Sequence, residues 1–201
     1  ITSNARKRSL EIKERQLNNE ERAGFDAAKS KEWNAFLENH VVAMCAARGI
    51  DPTRIMNSRW ILTWKPCDKQ DLKPGDFSKN HRGLLVRPKA RLVILGYQDP
   101  DLGLYQRSSP TLTRTARHLI FAIATQFEWG IQSWDAKQAF LLGDLSQRIR
   151  PLYTRVPPDL CEKLQVPRDT VFQLLKSVYG LAEAPIAWWK TLYRELLNAG
   201  F

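Results

Sequence analysis

The spacing of apolar residues changes several times along this chain, and each spacing predicts a different kind of element. Apolar positions with a helical period predict amphipathic helices over 33–48, 112–129 and 185–199. Apolar runs bounded by polar residues or proline predict strands over 58–65, 90–96, 131–136 and 151–156. A further apolar run covers 171–175, and a short helix is predicted over 159–164. Helices and strands in this mixed order indicate an α+β fold class.

The strands predicted over 58–65 and 90–96 are joined by a polar segment rich in Lys, Asp, Gly and Asn. This arrangement predicts an extended hairpin with basic residues at its tip and flanks. Lys89 and Arg91 flank Ala90, so the two-residue period of a strand places both cations on one face. Two cations on one face suit the triphosphate of a nucleotide, and a solvated basic sheet face is the alternative.

Basic residues are concentrated around this predicted hairpin. The whole chain has 31 Lys and Arg against 21 Asp and Glu, a formal net charge of +10. Between residues 54 and 91 there are ten basic residues and three aspartates. Such a cluster attracts a polyanion through phosphate contacts and counterion release, and a soluble basic loop is the alternative.

The first 32 residues alternate basic and acidic groups over a thin apolar stripe. They are predicted to form a charged linker or an exposed helix, while 33–201 form the folded region. The basic run over 6–8 fits a nuclear address or an ordinary solvated surface.

Composition disfavours several classes of protein. The apolar content of 43%, with seven Trp and eight Phe, argues against disorder. Apolar stretches are far shorter than the roughly 20 residues that cross a bilayer, so no membrane partner is expected. Cys45, Cys67 and Cys161 lack the spacing of zinc ligands or of a disulfide framework, which indicates a reducing compartment. Residue 1 is Ile, so we expect the chain to begin inside a longer polypeptide.

Asp135 stands near the end of the strand predicted over 131–136. A carboxylate at the end of a buried strand is costly unless it is hydrogen-bonded or binds a metal. A metal ligand is therefore one interpretation, and the cap of a helix that begins near Lys137 is the other. Asp144 lies across a glycine from this position and is interpreted as a turn residue.

Aromatic residues follow Asp135 at two informative positions. Phe140 comes five residues later, where its ring would cover a substrate sugar or belong to the core. Tyr179 and Gly180 precede a predicted helix. Glycine permits close backbone approach to a ligand, and an adjacent aromatic stacks on a base or ribose. A tight turn into the helix is the alternative.

Four segments taken together are more specific than any one of them. They are Lys89-Ala-Arg-Leu-Val-Ile-Leu-Gly-Tyr-Gln, Ser109-Pro-Thr-Leu-Thr-Arg, Asp135-Ala-Lys-Gln-Ala-Phe-Leu-Leu-Gly and Leu175-Lys-Ser-Val-Tyr-Gly-Leu-Ala-Glu-Ala-Pro-Ile-Ala-Trp. In this order and spacing, the chain resembles the reverse transcriptase domain of Ty1/copia-type retrotransposon Pol polyproteins. The resemblance extends over about 33–201.

The resemblance implies an RNA-directed DNA polymerase with a right-hand fold. This chain would be its fingers and the first part of its palm, built from antiparallel hairpins packed with amphipathic helices. Asp135 would be the first metal-binding aspartate, and the carbonyl of Ala136 would add a ligand. Phe140 would be the steric gate that rejects a ribose 2′-hydroxyl.

The resemblance also assigns the remaining nucleotide contacts. Tyr179 and Gly180 would pack on the incoming nucleotide and the template. Lys89 and Arg91 would bind the triphosphate from the fingers.

The implied cofactor is a pair of Mg²⁺ ions that support in-line nucleotidyl transfer. The implied partners are a primed RNA or DNA template, deoxynucleoside triphosphates and the rest of the Pol polyprotein, in a cytoplasmic virus-like particle or the nucleus. One aspartate cannot supply the ligands of two ions, and the pair of adjacent aspartates typical of the family is not among these 201 residues. We therefore predict no polymerase activity from the 201 residues alone.

Two rival functions stay open at the level of sequence. The chain would bind nucleic acid without catalysis if it were a catalytically dead retroelement remnant that keeps its basic fingers. It would be a hydrolase if Asp135 belonged to an RNase H-like or nuclease metal site. The sparse acidic residues around Asp135 count against the hydrolase.

Overall fold

A mixed sheet organises the part of the chain that the computed structural model describes, residues 11–67, 78–79, 85–145 and 148–200. Its strands are β1 (Val42–Cys45), β2 (Ile55–Pro66), β3 (Ser78–Lys79), β4 (Leu85–Ile94), β5 (Leu152–Arg155) and β6 (Val171–Leu174). Their order across the sheet is β1-β6-β5-β2-β4-β3. Neighbouring strands are antiparallel except for β2 and β5, which are parallel.

Helices cover parts of this sheet and its connections. They are α1 (Asn19–Glu38), α2 (Arg114–Gln126), α3 (Pro158–Leu164) and α4 (Ala184–Asn198). The predicted mixture of helices and strands is thereby confirmed, whereas the division into fingers and palm stays a prediction. A helix that could span a bilayer is not found among the described residues.

The predicted hairpin is present as β2 and β4, and it is longer than the sequence pattern indicates. Its register extends from Ser58 opposite Ile94 to Pro66 opposite Val86. Alternate positions of β4 are buried, at Val86, Ala90, Leu92 and Ile94. The connection at the predicted basic tip, over 68–77 and 80–84, lies outside the described residues.

Helix α1 begins earlier than the pattern predicts because Asn18 caps it. The Asn18 side chain accepts a hydrogen bond from the Glu21 backbone N–H, and the Glu21 side chain accepts one from the Asn18 backbone N–H. Such a reciprocal capping box fixes the start of a helix. The first 32 residues were predicted to be linker or exposed helix, but Phe25 is buried beside Leu62 and Ala90. The boundary at residue 33 stays a prediction.

The helix predicted over 33–48 is wrong in its second half. Helix α1 ends at Glu38, and His40 has a left-handed backbone with φ of 51°. Val42–Cys45 then pair with Val171–Leu174 as an edge strand. Apolar residues in this stretch satisfy either period, and the partner strand, which is distant in sequence, decides between them.

The shorter elements near the C-terminus follow their predictions closely. Strand β5 lies within the predicted 151–156. Helix α3 begins one residue before the predicted 159–164, and β6 ends one residue before 175. Together with α1 they enclose the larger apolar cluster, whose fully buried members include Phe36, Met56, Leu141, Leu152 and Val178.

Helix α2 is exposed over most of its length. Ala124 is its buried residue, whereas Leu119, Ile120 and Phe121 are largely exposed. The segment over 127–138 that follows is also exposed. The predicted helix over 112–129 is therefore present, but its apolar stripe is not covered by the described residues.

A buried ion-pair network joins three distant parts of the chain. Arg148 pairs with Asp99 and with Glu183, and the side chains of Arg148 and Asp99 are 5% and 1% exposed. The Arg54 guanidinium donates a 2.8 Å hydrogen bond to Asp101 and another, of 3.0 Å, to the Pro151 carbonyl. The network fastens the loop after β4 to the start of β2 and to the N-terminus of α4.

Candidate active site

One face of the β2–β4 hairpin has four cations. The register places Lys65 opposite Arg87 and Thr63 opposite Lys89, and Arg91 follows on the same face. Like charges directly opposite one another destabilise a sheet. None of the four cations forms an ion pair with another described residue. The face therefore has positive charge that no described carboxylate neutralises directly.

The electrostatic effect is visible at Lys89. Burial lowers the pKa of its ammonium, and the nearby charges of Arg91 and Lys65 lower it further. An anion placed on this face would remove part of that repulsion.

This face lines a cleft of about 590 Å³ that gathers most of the residues predicted for the site. Its lining includes Lys31, Glu32, Lys65, Arg87, Lys89, Arg91, Asp135, Ala136, Phe140 and Tyr179. Elements far apart in sequence thus supply cations, two carboxylates and two aromatic rings to one space. Gly180 is not part of the lining but follows Tyr179 directly.

Phe140 is held in place on both of its sides. It lies in a 3₁₀ turn, Ala139–Leu142, in which Leu141 is fully buried. The Ser177 hydroxyl donates a hydrogen bond to the Phe140 carbonyl oxygen. The Phe140 ring packs against the main apolar cluster and also lines the cleft. Its core and substrate-facing interpretations are therefore compatible.

Tyr179 connects Phe140 with the cations. Its ring meets that of Phe140 edge-on, with centroids 5.4 Å apart and an interplanar angle of 89°. The Arg91 guanidinium lies 5.8 Å from the Tyr179 ring centroid, within cation–π range. Burial raises the pKa of the Tyr179 hydroxyl, and the charge of Glu32 adds to the increase. The aromatic pair forms a wall beside the cations.

Gly180 is required by the packing of the backbone. Its φ is +100°, and a Cβ there would lie 2.0 Å from the Ile94 carbonyl oxygen. The Ile94 N–H donates a 2.9 Å hydrogen bond to the Tyr179 carbonyl, so this turn covers the end of β4. This geometry agrees with the interpretation of Gly180 as part of a tight turn. Its contact with a nucleotide stays a prediction.

The strand predicted over 131–136 is wrong. These residues have no regular structure and are exposed, with Trp134 at 87%. A strand needs a neighbour for its backbone hydrogen bonds, and none of the described strands pairs with this segment. Apolar periodicity alone cannot show whether a neighbour exists.

Asp135 is consequently an exposed carboxylate at the cleft and not the end of a buried strand. The alternative of a helix cap is not observed either. The next helical turn begins at Ala139, and its N-cap is Gln138, which has φ of 55° and makes no side-chain cap.

A pair of magnesium ions needs more carboxylate oxygens than Asp135 alone provides. Mg²⁺ takes octahedral coordination, and a pair of ions needs several carboxylate oxygens. The described residues contain no group of three His, Cys, Asp or Glu side chains that could hold a metal. Asp135 and the Ala136 carbonyl by themselves do not fit a two-magnesium centre.

Sequence reasoning missed part of this cleft. Arg87 continues the two-residue period of Lys89 and Arg91, so the pattern itself would have included it. Lys65 required the hairpin register, which a sequence pattern does not fix. Lys31 and Glu32 are not predicted to line the site, because they belong to the stretch that the sequence predicts to be linker or exposed helix.

Comparison with known sequences decides the family. Residues 57–201 match the family described as reverse transcriptase (RNA-dependent DNA polymerase). The chain belongs to this family. The resemblance found in the four sequence segments is thereby confirmed. The relatives of the chain include Ty1/copia-type Pol polyproteins.

Three relatives of the chain are Pol polyproteins of plant transposons. It is 33% identical over 92% of its length to the retrovirus-related Pol polyprotein from transposon RE2 of Arabidopsis thaliana. It is 32% identical over 90% to that from transposon RE1 of the same plant. For transposon TNT 1-94 of Nicotiana tabacum the identity is 34% over 68%.

This reverse transcriptase chain spans only 12% of the first two relatives and 9% of the third. No solved structure matches it. What the whole polyproteins do therefore comes to this chain only as a proposal.

Proposed function

We propose that this chain is the nucleotide-binding part of an RNA-directed DNA polymerase, comprising its fingers and the first part of its palm. The family supports the reaction class, and the cleft supports the part. The observation that carries the proposal is the meeting, in one space, of hairpin cations without a described ion-pair partner, an exposed carboxylate and an aromatic wall.

Each group in the cleft has a chemical task in this proposal. Lys89 and Arg91 hold the triphosphate of a deoxynucleotide, because two cations on one strand face match adjacent phosphate groups. Phe140 and Tyr179 restrict the position of the sugar by their size and by the packing that holds their rings edge to face. Asp135 contributes a carboxylate at the reacting end. The two-magnesium mechanism stays a prediction, because the described residues do not complete its ligand set.

A primer-extension assay tests the proposal. The protein is the product of the longer Pol reading frame that contains this chain, with a primed RNA template and deoxynucleotides. We expect Asp135→Asn to reduce extension by about 100-fold or more, since even outer partners of metal ligands commonly change activity 10- to 100-fold. The matched control is Asp144→Asn, which removes an exposed carboxylate that does not line the cleft.

The outcomes of these assays separate the proposed function from its two rivals. Equal extension by Asp135→Asn and the parent protein would refute the catalytic role of Asp135. Salt-sensitive binding of the primed template by the parent protein, without extension, would favour a catalytically dead remnant. Metal-dependent cleavage of an RNA–DNA hybrid that disappears in Asp135→Asn would favour a hydrolase.

A further inference from the structure

Glu32 is a half-buried carboxylate that lines the cationic cleft, and neither the sequence pattern nor the proposed reaction assigns it a role. It belongs to helix α1, which packs against β4. The Leu92 backbone N–H donates a hydrogen bond to the Glu32 carboxylate. This bond anchors one side of the carboxylate to the strand that holds Lys89 and Arg91.

The other side of the carboxylate has no such partner. Its Oε1 atom is buried and forms no hydrogen bond with a described residue. A buried carboxylate oxygen without a partner is costly, so it is uncommon in a folded protein. Burial also raises the pKa of Glu32, although the charges of Lys89 and Arg91 oppose that increase.

The charges around Glu32 are predominantly positive. The titratable groups that share the cleft with it are Lys31 on its own helix, Lys65 on β2, Arg87, Lys89 and Arg91 on β4, Asp135 and Lys137 on the segment after α2, and Tyr179. None of the four hairpin cations in this set is in a direct ion pair with a described carboxylate. Glu32 therefore acts on Lys89 and Arg91 through space, at longer range than a salt bridge.

We propose that Glu32 is an internal counter-charge of the cleft, which sets its affinity for phosphate chains by partly neutralising Lys89 and Arg91. This inference rests on the proposed function of the cleft as the nucleotide triphosphate site. A bound triphosphate places its oxygens near the same cations and is repelled by the Glu32 carboxylate. The residue thus lowers the affinity for the anion and favours its release.

Binding of deoxythymidine triphosphate and of inorganic tripolyphosphate to the 201-residue chain, without metal, tests the inference. Glu32→Gln keeps an oxygen that accepts the Leu92 hydrogen bond but removes the charge. We expect it to tighten binding of both anions about five- to tenfold at low salt, the order that one charge several ångströms away produces near a protein surface. The gain should shrink at high salt.

Matched variants distinguish this role from a purely structural one. Glu38→Gln removes an exposed charge from the same helix outside the cleft and should leave the affinity unchanged. Lys89→Gln combined with Arg91→Gln should weaken binding in the parent chain. A structural defect would weaken anion binding in Glu32→Gln, whereas a lost counter-charge strengthens it.

The outcomes separate the two proposals. Unchanged or weaker binding by Glu32→Gln, with normal binding by the parent chain, overturns the role of Glu32 alone. Absence of binding by the parent chain and by Glu32→Gln overturns the anion cleft, and the inference falls with it. Equal tightening by Glu38→Gln would show a nonspecific effect of net charge and would also overturn the inference.

Discussion

Gly180 shows how one residue without a side chain joins the site to the sheet. Its positive φ and the 2.0 Å approach of a built Cβ to the Ile94 carbonyl leave room for no other residue. Gly96 meets the same turn from the opposite side, with a built Cβ 2.2 Å from the Gly180 carbonyl oxygen. Tyr179 reaches the cleft because this pair of glycines lets two backbones touch.

Replacing Gly180 by alanine is expected to destabilise the fold by about 3 kcal/mol or more, since backbone strain and a core overlap both contribute at the upper end of their usual ranges. Gly49→Ala is the matched control, because its φ is +84° but nothing lies within 4 Å of a built Cβ. That variant should cost only about 1 kcal/mol. Urea unfolding measures both, and equal losses would show that the contact with Ile94 is not responsible.

Glu32 predicts a dependence of stability on pH. Its pKa is raised in the folded chain, so the folded state favours the protonated carboxyl. That contribution to stability is fully present below the ordinary glutamate pKa and is lost as the pH rises through the raised pKa. The free energy of unfolding of Glu32→Gln relative to the parent chain should therefore increase between pH 4 and pH 7. A constant difference across this range in urea titrations would contradict the assignment.

At the scale of elements, buried charges position the loop after β4. Asp99 and Asp101 are buried beside Arg148 and Arg54, and Glu183 joins them at the start of α4. The Arg148 guanidinium also lies 4.6 Å from the Tyr105 ring centroid. The hydrogen bond from Arg54 holds the pKa of Asp101 below its ordinary value. The segment after β4 is therefore held in place by buried ion pairs, although it has no regular structure over most of its length.

Arg148→Met is expected to destabilise the chain by about 3–5 kcal/mol, because it leaves Asp99 and Glu183 buried without their partner. Arg168→Met removes one member of an exposed pair, whose side chains are 72% and 65% exposed, and should change stability by less than about 1 kcal/mol. Chemical denaturation of the two variants gives the comparison. Similar small losses in both would mean that the network around Arg148 contributes little.

Apolar surface is also distributed unevenly among the elements. The larger apolar cluster has residues of α1 and the central strands, whereas Leu119, Ile120 and Phe121 of α2 are exposed. Helix α4 is similarly divided, with Ile186 and Ala187 buried and Leu196 and Leu197 exposed. Periodicity correctly indicated these helices, but it could not say which apolar faces the described chain covers.

For the molecule as a whole, the location of the positive charge matters more for binding than its formal total of +10. Lys65, Arg87, Lys89 and Arg91 face one cleft, so a polyanion bound there would displace counterions from several sites at once.

We expect the chain to bind a primed template with an affinity that falls steeply with salt. Lys89→Gln combined with Arg91→Gln should reduce the slope of log K against log salt by about 1.5, since each lost phosphate contact accounts for about 0.7–0.9. Lys163→Gln combined with Arg168→Gln removes the same charge outside the cleft and should leave the slope nearly unchanged. Fluorescence anisotropy at several salt concentrations measures it, and equal slopes for both variants would exclude binding at the hairpin face.

The family, the hairpin and the positions of most helices followed from the amino-acid sequence. Local periods and capping residues act over a few neighbours, so the shared face of Lys89 and Arg91 follows from strand geometry alone. The order of the four segments indicated a reverse transcriptase before any contact was known, and the family match over 57–201 confirmed it.

The tertiary structure alone decided which distant residues meet. It made Val42–Cys45 a strand by supplying β6, and it left 131–136 irregular because no described strand pairs with that segment. It also placed Glu32 and Lys65 beside Lys89, through the packing of α1 on β4 and the hairpin register. Pairing and packing depend on partners far along the chain, and a local pattern contains no information about where those partners lie.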